Sequence, residues 1–272
     1  MSQAGSGHLA VIAGAGVLPG LLLRAWPDAL LVKISGIAVE ADATNTLAAR
    51  FEQLGALFDN LKAAGISRVV FAGSMTRPKL DERAFDAVTR ALAPRIMAAM
   101  AGGDDGLLQL VIKLFEDQGF VVSGAHDLLP ELTARAGYLT AAQPSASDRQ
   151  DGERGKQLLA TLGPADVSQA CVFAGGLCLG IESIQGTDAM LGFVADTRAG
   201  LRPETGGVLV KRAKSGQDLR ADMPAIGQQT VAAVLRAGLS GICIQAGQVI
   251  VLDRAQVLAE ADAANIAIWA VS

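Results

Sequence analysis

Leu9-Ala-Val-Ile-Ala-Gly-Ala-Gly-Val-Leu-Pro-Gly-Leu-Leu-Leu-Arg-Ala-Trp26 is the stretch whose reading decides the fold. Its first five residues form a short apolar run of strand length, Gly14-Ala-Gly16 turns the chain, and the residues up to Trp26 continue as a helix. The alternation repeats outward. Ala29 to Ile34 reads as a second strand, Phe51 to Ala64 as an amphipathic helix and Ser67 to Ala72 as a buried strand. Gly106 to Gln118 reads as a helix and Phe120 to Ser123 as a strand. Strands separated by crossover helices pair in parallel. Residues 1–139 are therefore expected to form a Rossmann-like parallel layer.

Composition shifts at Thr140 to Asp151, where small polar residues and Pro144 predict a linker. Beyond it, over 152–272, the pattern changes. Gln169 to Ala174 and Leu177 to Ile184 flank Gly175-Gly176, a tight hairpin signal. Gly241 to Ala246 and Gln248 to Leu252 flank Gly247 and predict a second hairpin. Gly207 to Arg212 reads as a strand, and Thr230 to Ala237 and Ala255 to Ala264 as helices. The expected fold class is α/β in two domains, the second α+β with antiparallel hairpins.

Composition removes several functions. Hydrophobic residues make up 51% of the 272, charged residues 18% and aromatics 4%, so the interior is expected to be aliphatic. A net charge of -4 offers no excess of Lys and Arg to displace counterions, which argues against nucleic acid. The apolar run Leu9 to Leu23 is too short to span a bilayer and is broken by glycines and Pro19. No basic residue precedes it in Met1 to Gly7, so it is a poor signal peptide and a cytoplasmic location is expected. Cys171, Cys178 and Cys243 lack metal-ligand spacing and read as small hydrophobes. With His8 and His126 as the only histidines, a His-rich dinuclear centre is excluded. No Gly-x-Ser-x-Gly elbow accompanies His126, which reads as structural.

Two runs in the second half carry the chemistry: Glu182-Ser-Ile-Gln-Gly-Thr-Asp188, and Lys211 through Thr230. Each places acidic residues where a strand releases the chain. Carboxylates there can share a divalent cation, while Lys211, Arg212, Lys214 and Arg220 suit phosphate oxygens. The plain alternative is a helix start capped by Thr187 or Asp188, and a solvated Lys- and Asp-rich loop. Asp222 is the first candidate for an essential acid, since Pro224 holds the backbone there near extended geometry with Gln217 and Arg220 close by. Asp188 and Glu182 are candidates for metal or water. In the first half, Gly14 and Gly16 sit where a strand opens into a helix, a setting that binds phosphate. Pro19 replaces the third glycine of the dinucleotide fingerprint and no acid ends the second strand, which argues against NAD(P). Ser74 and Arg77 follow the strand ending at Ala72, the side on which open α/β sheets bind ligands. Asp104 and Asp105 fit a helix cap as well as they fit catalysis.

These residues resemble the UDP-2,3-diacylglucosamine hydrolases of lipid A biosynthesis that are unrelated to the metallophosphoesterases. The likeness runs through Ile12-Ala-Gly-Ala-Gly-Val-Leu-Pro19, Phe71-Ala-Gly-Ser-Met-Thr-Arg-Pro78, Gly103-Asp-Asp105 and Gly124-Ala-His-Asp-Leu-Leu-Pro130. It continues through Gly163-Pro-Ala-Asp-Val-Ser-Gln169, Ile181 to Met190, Lys211-Arg, Gln217-Asp-Leu-Arg220, Asp222-Met-Pro224 and Ile226-Gly227. The order and number of these pieces carry the resemblance. It implies Mg2+-dependent cleavage of UDP-2,3-diacylglucosamine to UMP and 2,3-diacylglucosamine 1-phosphate (lipid X), with water attacking the β-phosphorus. It also implies two α/β domains with the substrate between them. On this reading Asp222 and Asp188 are catalytic, and Asp222, Glu182 and Asp188 hold metal. Gly14, Gly16, Ser74, Arg77, Thr187, Lys211, Gln217 and Arg220 bind the substrate. The implied partners are the nucleotide-sugar lipid and, transiently, the inner membrane surface; a homodimer is compatible with it. Ala225 departs from the family, which commonly has a hydroxyl residue there. A non-enzymatic carrier of a lipid or nucleotide sugar and an NAD(P)-dependent oxidoreductase are the competing readings.

Overall fold

A computed structural model describes residues 8–76, 78–102, 104–197, 200–201, 203 and 206–272. It divides into two compact units, one of residues 1–130 with Arg220–Asp222, the other of 131–219 with 223–272.

The first unit carries β1 (Leu9–Ala13), α1 (Leu18–Ala25), β2 (Leu30–Ile34), β3 (Thr46–Ala49), α2 (Leu54–Ala63) and β4 (Arg68–Ala72). It continues with α3 (Ala87–Gly102), α4 (Asp104–Asp117), β5 (Val121–Ser123) and α5 (Ala125–Leu128). The five strands are all parallel, in the order β3-β2-β1-β4-β5. All five residues of β1 are buried, as a central parallel strand covered on both faces requires. The order reverses at β1/β4, the switch point at which doubly wound sheets leave a crevice. The interior is not purely aliphatic here. Phe58, Phe71, Phe115 and Phe120 cluster, with Phe58 and Phe71 each edge-on to Phe115 at centroid distances of 5.2 and 5.3 Å. The few aromatics of the chain are concentrated, so the average composition understates them.

One carboxylate ties two helix starts together. Asp86 accepts from Thr89 N at 2.7 Å at the start of α3 and from Ala56 N at 3.1 Å in α2. The fully buried Thr89 Oγ1 accepts from Leu54 N at 2.9 Å. Amides that the helices leave unpaired are thereby satisfied.

The second unit carries β6 (Gly137–Tyr138), α6 (Ala146–Leu162), β7 (Ala170–Ala174), β8 (Leu177–Ile181), α7 (Thr187–Ala195) and β9 (Val208–Lys211). Then follow β10 (Ala225–Ile226), α8 (Gln228–Arg236), β11 (Gly241–Gln245), β12 (Ile250–Val251), α9 (Arg254–Ala263) and β13 (Ala267–Val271). Six strands form a mixed sheet in the order β6-β13-β11-β9-β7-β8. β13, β11 and β9 are parallel and β8 runs the same way, while β7 and β6 run against them.

The hairpin at Gly175-Gly176 is present as β7–β8. The one expected around Gly247 is not. β11 is a central strand with parallel partners on both sides, and β12 pairs in parallel with β10 in a separate two-stranded sheet. Four buried residues in succession, Gly241 to Ile244, demand cover on both faces, which a two-stranded hairpin cannot give.

Residues 140–151 are not a linker. Thr140 is buried and its Oγ1 accepts from Ile268 N at 2.8 Å, and α6 begins at Ala146. The misreading has a physical cause: α6 packs through glycine. A Cβ on Gly155 would lie 2.4 Å from Val210 Cγ2, so the face of α6 that meets the sheet carries no apolar side chain there to announce it.

Asp148 anchors this helix. Its carboxylate accepts from Ser145 N (2.9 Å), Ser145 Oγ (2.7 Å) and Ser240 Oγ (2.6 Å). Burial alone would raise its pKa, but these hydrogen bonds outweigh burial and hold it below the ordinary 3.8. Asp86 is lowered by the same balance of burial against bonds from Thr89, Ala56 and Gly55. A depressed folded-state pKa means that stability is fully present above the unfolded value and is lost as pH falls through the folded one. Denaturant melts at stepped pH are therefore expected to show stability falling below about pH 4, where ordinary aspartates protonate. Asp148→Asn should reduce that acid dependence.

Candidate active site

The mixed sheet of the second unit gathers the sequence-marked residues at one edge. β9, β11 and β13 run in register and end at Lys211, Gln245 and Val271. β7 runs the other way and begins at Ala170 beside Lys211, while β8 ends at Ile181 opposite Cys171. Gln169, Glu182, Lys211 and Gln245 thus share the carboxyl-terminal edge of the parallel strands, where such sheets bind ligands. Gln245 Oε1 is buried there without a hydrogen-bond partner among the described residues.

Lys211 has 8% of its surface exposed, and its ammonium donates to Thr187 Oγ1 at 2.7 Å. The Thr187 hydroxyl donates in turn to Glu182 Oε1. Glu182 Oε2 accepts from Gln169 N at 3.1 Å. The polarity of the series is fixed, because an ammonium can only donate and an ionised carboxylate can only accept. A buried ammonium is costly unless compensated, and Glu182 supplies the opposite charge one hydroxyl away. Glu182 itself is held by its backbone, whose N donates to Ala170 O at 2.9 Å. Thr187 is the first residue of α7, and the cap is Gly186 (φ 87°), not Thr187 or Asp188. The turn is therefore a helix start, and its threonine is nevertheless engaged elsewhere. Asp188 is exposed in the first turn, where a carboxylate complements the helix dipole.

The remaining basic residues have structural partners. Arg212 donates to Lys156 O at 3.2 Å and Ala213 O at 3.3 Å, joining the strand end to α6. Lys214 pairs with Asp166, and the Gln217 side-chain oxygen accepts from Lys214 N at 2.9 Å, closing the 214–217 turn. Arg220 and Asp222 belong to the first unit. Arg220 donates to Glu116 of α4 at 2.6 Å, and Ala221 packs on the core of that unit. Asp222 is partly buried.

At the β1/β4 switch point two loops cross backbone to backbone. Gly14 N donates to Ala72 O (2.7 Å), Ala15 N to Ser74 O (2.8 Å) and Ser74 N to Ala15 O (3.0 Å). A Cβ on Gly14 would sit 2.4 Å from Ser74 O, and one on Gly73 (φ 93°) 2.5 Å from Ala15 O. Gly14 is thus required by close approach of backbone to backbone. Gly14→Ala is expected to destabilise the first unit by about 2–4 kcal/mol, since no flexible side chain can yield. A single early transition in thermal melts would show it. Gly16 and Ser74 lie on these exposed loops, ahead of α1 and after β4. Arg77 and Gly103 lie outside the described residues; Asp104 and Asp105 fall in the first turn of α4. His126 lies in α5, its Nδ1 buried without a hydrogen-bond partner among the described residues.

The model of the LpxI N-terminal domain matches residues 8–132, and that of the LpxI C-terminal domain matches 135–269. The UDP-2,3-diacylglucosamine pyrophosphatase LpxI of Caulobacter vibrioides is 34% identical, covering 93% of this chain and 94% of its own. The chain belongs to the LpxI family. In LpxI terms the Lys211–Thr187–Glu182 series lies in the C-terminal domain and the Gly14 crossing in the N-terminal one. Asp222 falls in the C-terminal match by sequence but counts with the first compact unit. That placement has no signal in the sequence. Nor has the role of Gln169, whose contribution is a backbone amide.

No three His, Cys, Asp or Glu side chains converge to hold a metal among the described residues of this LpxI chain. An all-protein cage does not fit. A Mg2+ ion needs no such cluster where it takes one or two carboxylates, here Asp188 or Asp222, and completes its shell with phosphates and water. No described helix is long and apolar enough to cross a membrane.

Proposed function

We infer that this LpxI-family protein hydrolyses the pyrophosphate of UDP-2,3-diacylglucosamine to UMP and lipid X, with Mg2+, by water attack on the β-phosphorus. The observation that carries this reading is the 34% identity to a pyrophosphatase of that name across nearly the whole of both chains. The buried Lys211 at the carboxyl-terminal edge of the second unit supports it, because a fixed cation suits a pyrophosphate oxygen.

In the proposed reaction the water oxygen bonds to the β-phosphorus and the bond from that phosphorus to the bridging oxygen breaks. UMP leaves with the bridging oxygen, and the water's proton passes to a base. Asp222 is assigned to hold the Mg2+ and to orient the water, with Asp188 as the second carboxylate. When bound, the ion neutralises phosphoryl oxygens and stabilises the leaving phosphate. Lys211 binds a phosphate oxygen, and the loops bearing Gly14, Gly16, Ser74 and Arg77, with Gln217 and Arg220, bind the rest of the substrate. The protein acts in the cytoplasm and meets its amphiphilic substrate at the inner membrane surface.

The test is product analysis after incubation with UDP-2,3-diacylglucosamine. UMP and lipid X should form with Mg2+ and stop with EDTA. Tight binding without products would favour a carrier; products that persist in EDTA would remove the metal from the account.

A further inference from the structure

The Lys211–Thr187–Glu182 series raises a question about Glu182, whose sequence context suits a metal ligand. Both of its carboxylate oxygens are already engaged inside the second unit, Oε1 by the Thr187 hydroxyl and Oε2 by the Gln169 amide. Each oxygen keeps a second lone pair, but a cation there would compete with the Thr187 and Gln169 contacts that hold the carboxylate in place. Displacing the Thr187 contact would leave its hydroxyl free to turn away and would loosen the acceptor of the ammonium of the buried Lys211. The arrangement instead joins three separate strand ends: Lys211 ends β9, Glu182 follows β8, and Gln169 precedes β7. Gln169 O also accepts from Arg212 N at 2.9 Å, so the residue after Lys211 is bonded to the residue whose amide holds Glu182. The loop Ser183–Gly186 closes with Gly186 N donating to Ser183 O at 2.9 Å, carrying the chain from Glu182 to Thr187 in one tight turn.

We propose that Glu182 is a positioning residue for substrate binding, not a metal ligand: acting through the Thr187 hydroxyl, it fixes the Lys211 ammonium for a phosphate oxygen of the substrate. This rests on the hydrolase reading above. Thr187 is the relay, with its one proton committed to Glu182 and one of its two lone pairs to Lys211. The three side chains form one unit, so their removal is expected to be non-additive. Because Lys211 is present in ground and transition states alike, its loss of position acts on substrate binding more than on turnover.

The test compares wild type with Glu182→Gln, Thr187→Val, Thr187→Ser and the Glu182→Gln/Thr187→Val double variant. KM for UDP-2,3-diacylglucosamine and Kd for UDP should rise roughly 10- to 100-fold in Thr187→Val, the effect of misplacing a hydrogen bond to a charged group, with kcat changed by less than about threefold. Thr187→Ser, which keeps the hydroxyl, should recover most of the loss. The double variant should be no worse than the poorer single one. Mn2+ binding in the presence of UDP, followed by electron paramagnetic resonance, should be the same in Glu182→Gln as in wild type. Thermal midpoints close to wild type exclude misfolding; if Thr187→Val does not fold, Glu182→Gln, which keeps size and an acceptor oxygen, carries the same comparison. Weakened Mn2+ binding in Glu182→Gln, additive effects, or a fall in kcat at unchanged KM and Kd would overturn the proposal. Failure of wild type itself to cleave the lipid would instead strike the hydrolase reading, while the UDP-binding arm still reports on Glu182.

Discussion

Asp222→Asn is expected to lower kcat by roughly 10³-fold, within the range for loss of a positioned acid or base, and to leave the fold intact. Asparagine keeps the shape and removes the charge. The backbone beyond it is independently anchored: Ile250 N donates to Pro224 O at 2.8 Å, and Ala225 and Ile226 pair with Ile250 and Val251. Thermal melts should therefore match wild type while turnover collapses. Substrate binding should change less than turnover, because Lys211 keeps its bond to Thr187. An Asp222→Asn protein with wild-type kcat would remove this residue from the chemistry.

Asp151→Ala is expected to produce the largest loss of stability without touching the chemistry. Asp151 is 2% exposed, and its two oxygens accept from Gly175 N and Gly176 N, both at 2.8 Å. One carboxylate thus secures the turn of the β7–β8 hairpin to α6. Arg154 adds a bond to Gly176 O at 3.0 Å from the next turn of the helix. Alanine leaves a cavity and removes two charge-assisted bonds, for a loss of about 3–4 kcal/mol. For a unit of this size that is a fall of about 10 °C in midpoint. β8 carries Glu182 at its end, so KM should rise at temperatures where the hairpin opens. Asp151→Asn retains one acceptor and should lose about half as much.

The first unit was legible because its strands are apolar runs bounded by glycine. Leu9–Ala13 and Arg68–Ala72 announce themselves, and Gly14 and Gly73 mark their ends. Thr46–Ala49 did not, since an edge strand with two exposed residues carries little apolar signal. Helix α3 gives no clear helical signal because Pro94 stands inside it. In the second unit the sequence misled where packing used backbone in place of side chains. Gly155 lets α6 meet the sheet, so the polar segment around Pro144 has the composition of a linker while forming the start of a helix. The apolar runs around Gly247 suggested a hairpin, but nothing local distinguishes a strand that pairs with its neighbour from one taking two distant parallel partners.

The site was legible in residue type and not in pairing. Glu182, Thr187 and Lys211 stood out as acid, hydroxyl and base at strand ends. That the lysine meets the threonine, 24 residues earlier in the chain, depends on β9 lying beside β7 in an antiparallel register. Lys214, Arg212 and Gln217 are equivalent to Lys211 by residue type and position in the sequence, yet in the fold Arg212 meets carbonyls, Lys214 meets Asp166 and Gln217 a turn amide. Burial separates them: only Lys211 of these four is buried.

The central claim is hydrolysis at the β-phosphorus of UDP-2,3-diacylglucosamine. It is tested most directly by one mass-spectrometric measurement of the products formed with Mg2+ in 18O-labelled water. The account predicts label in the phosphate of lipid X and unlabelled UMP. Label in UMP would contradict the site of attack, and absence of both products would contradict the hydrolase itself.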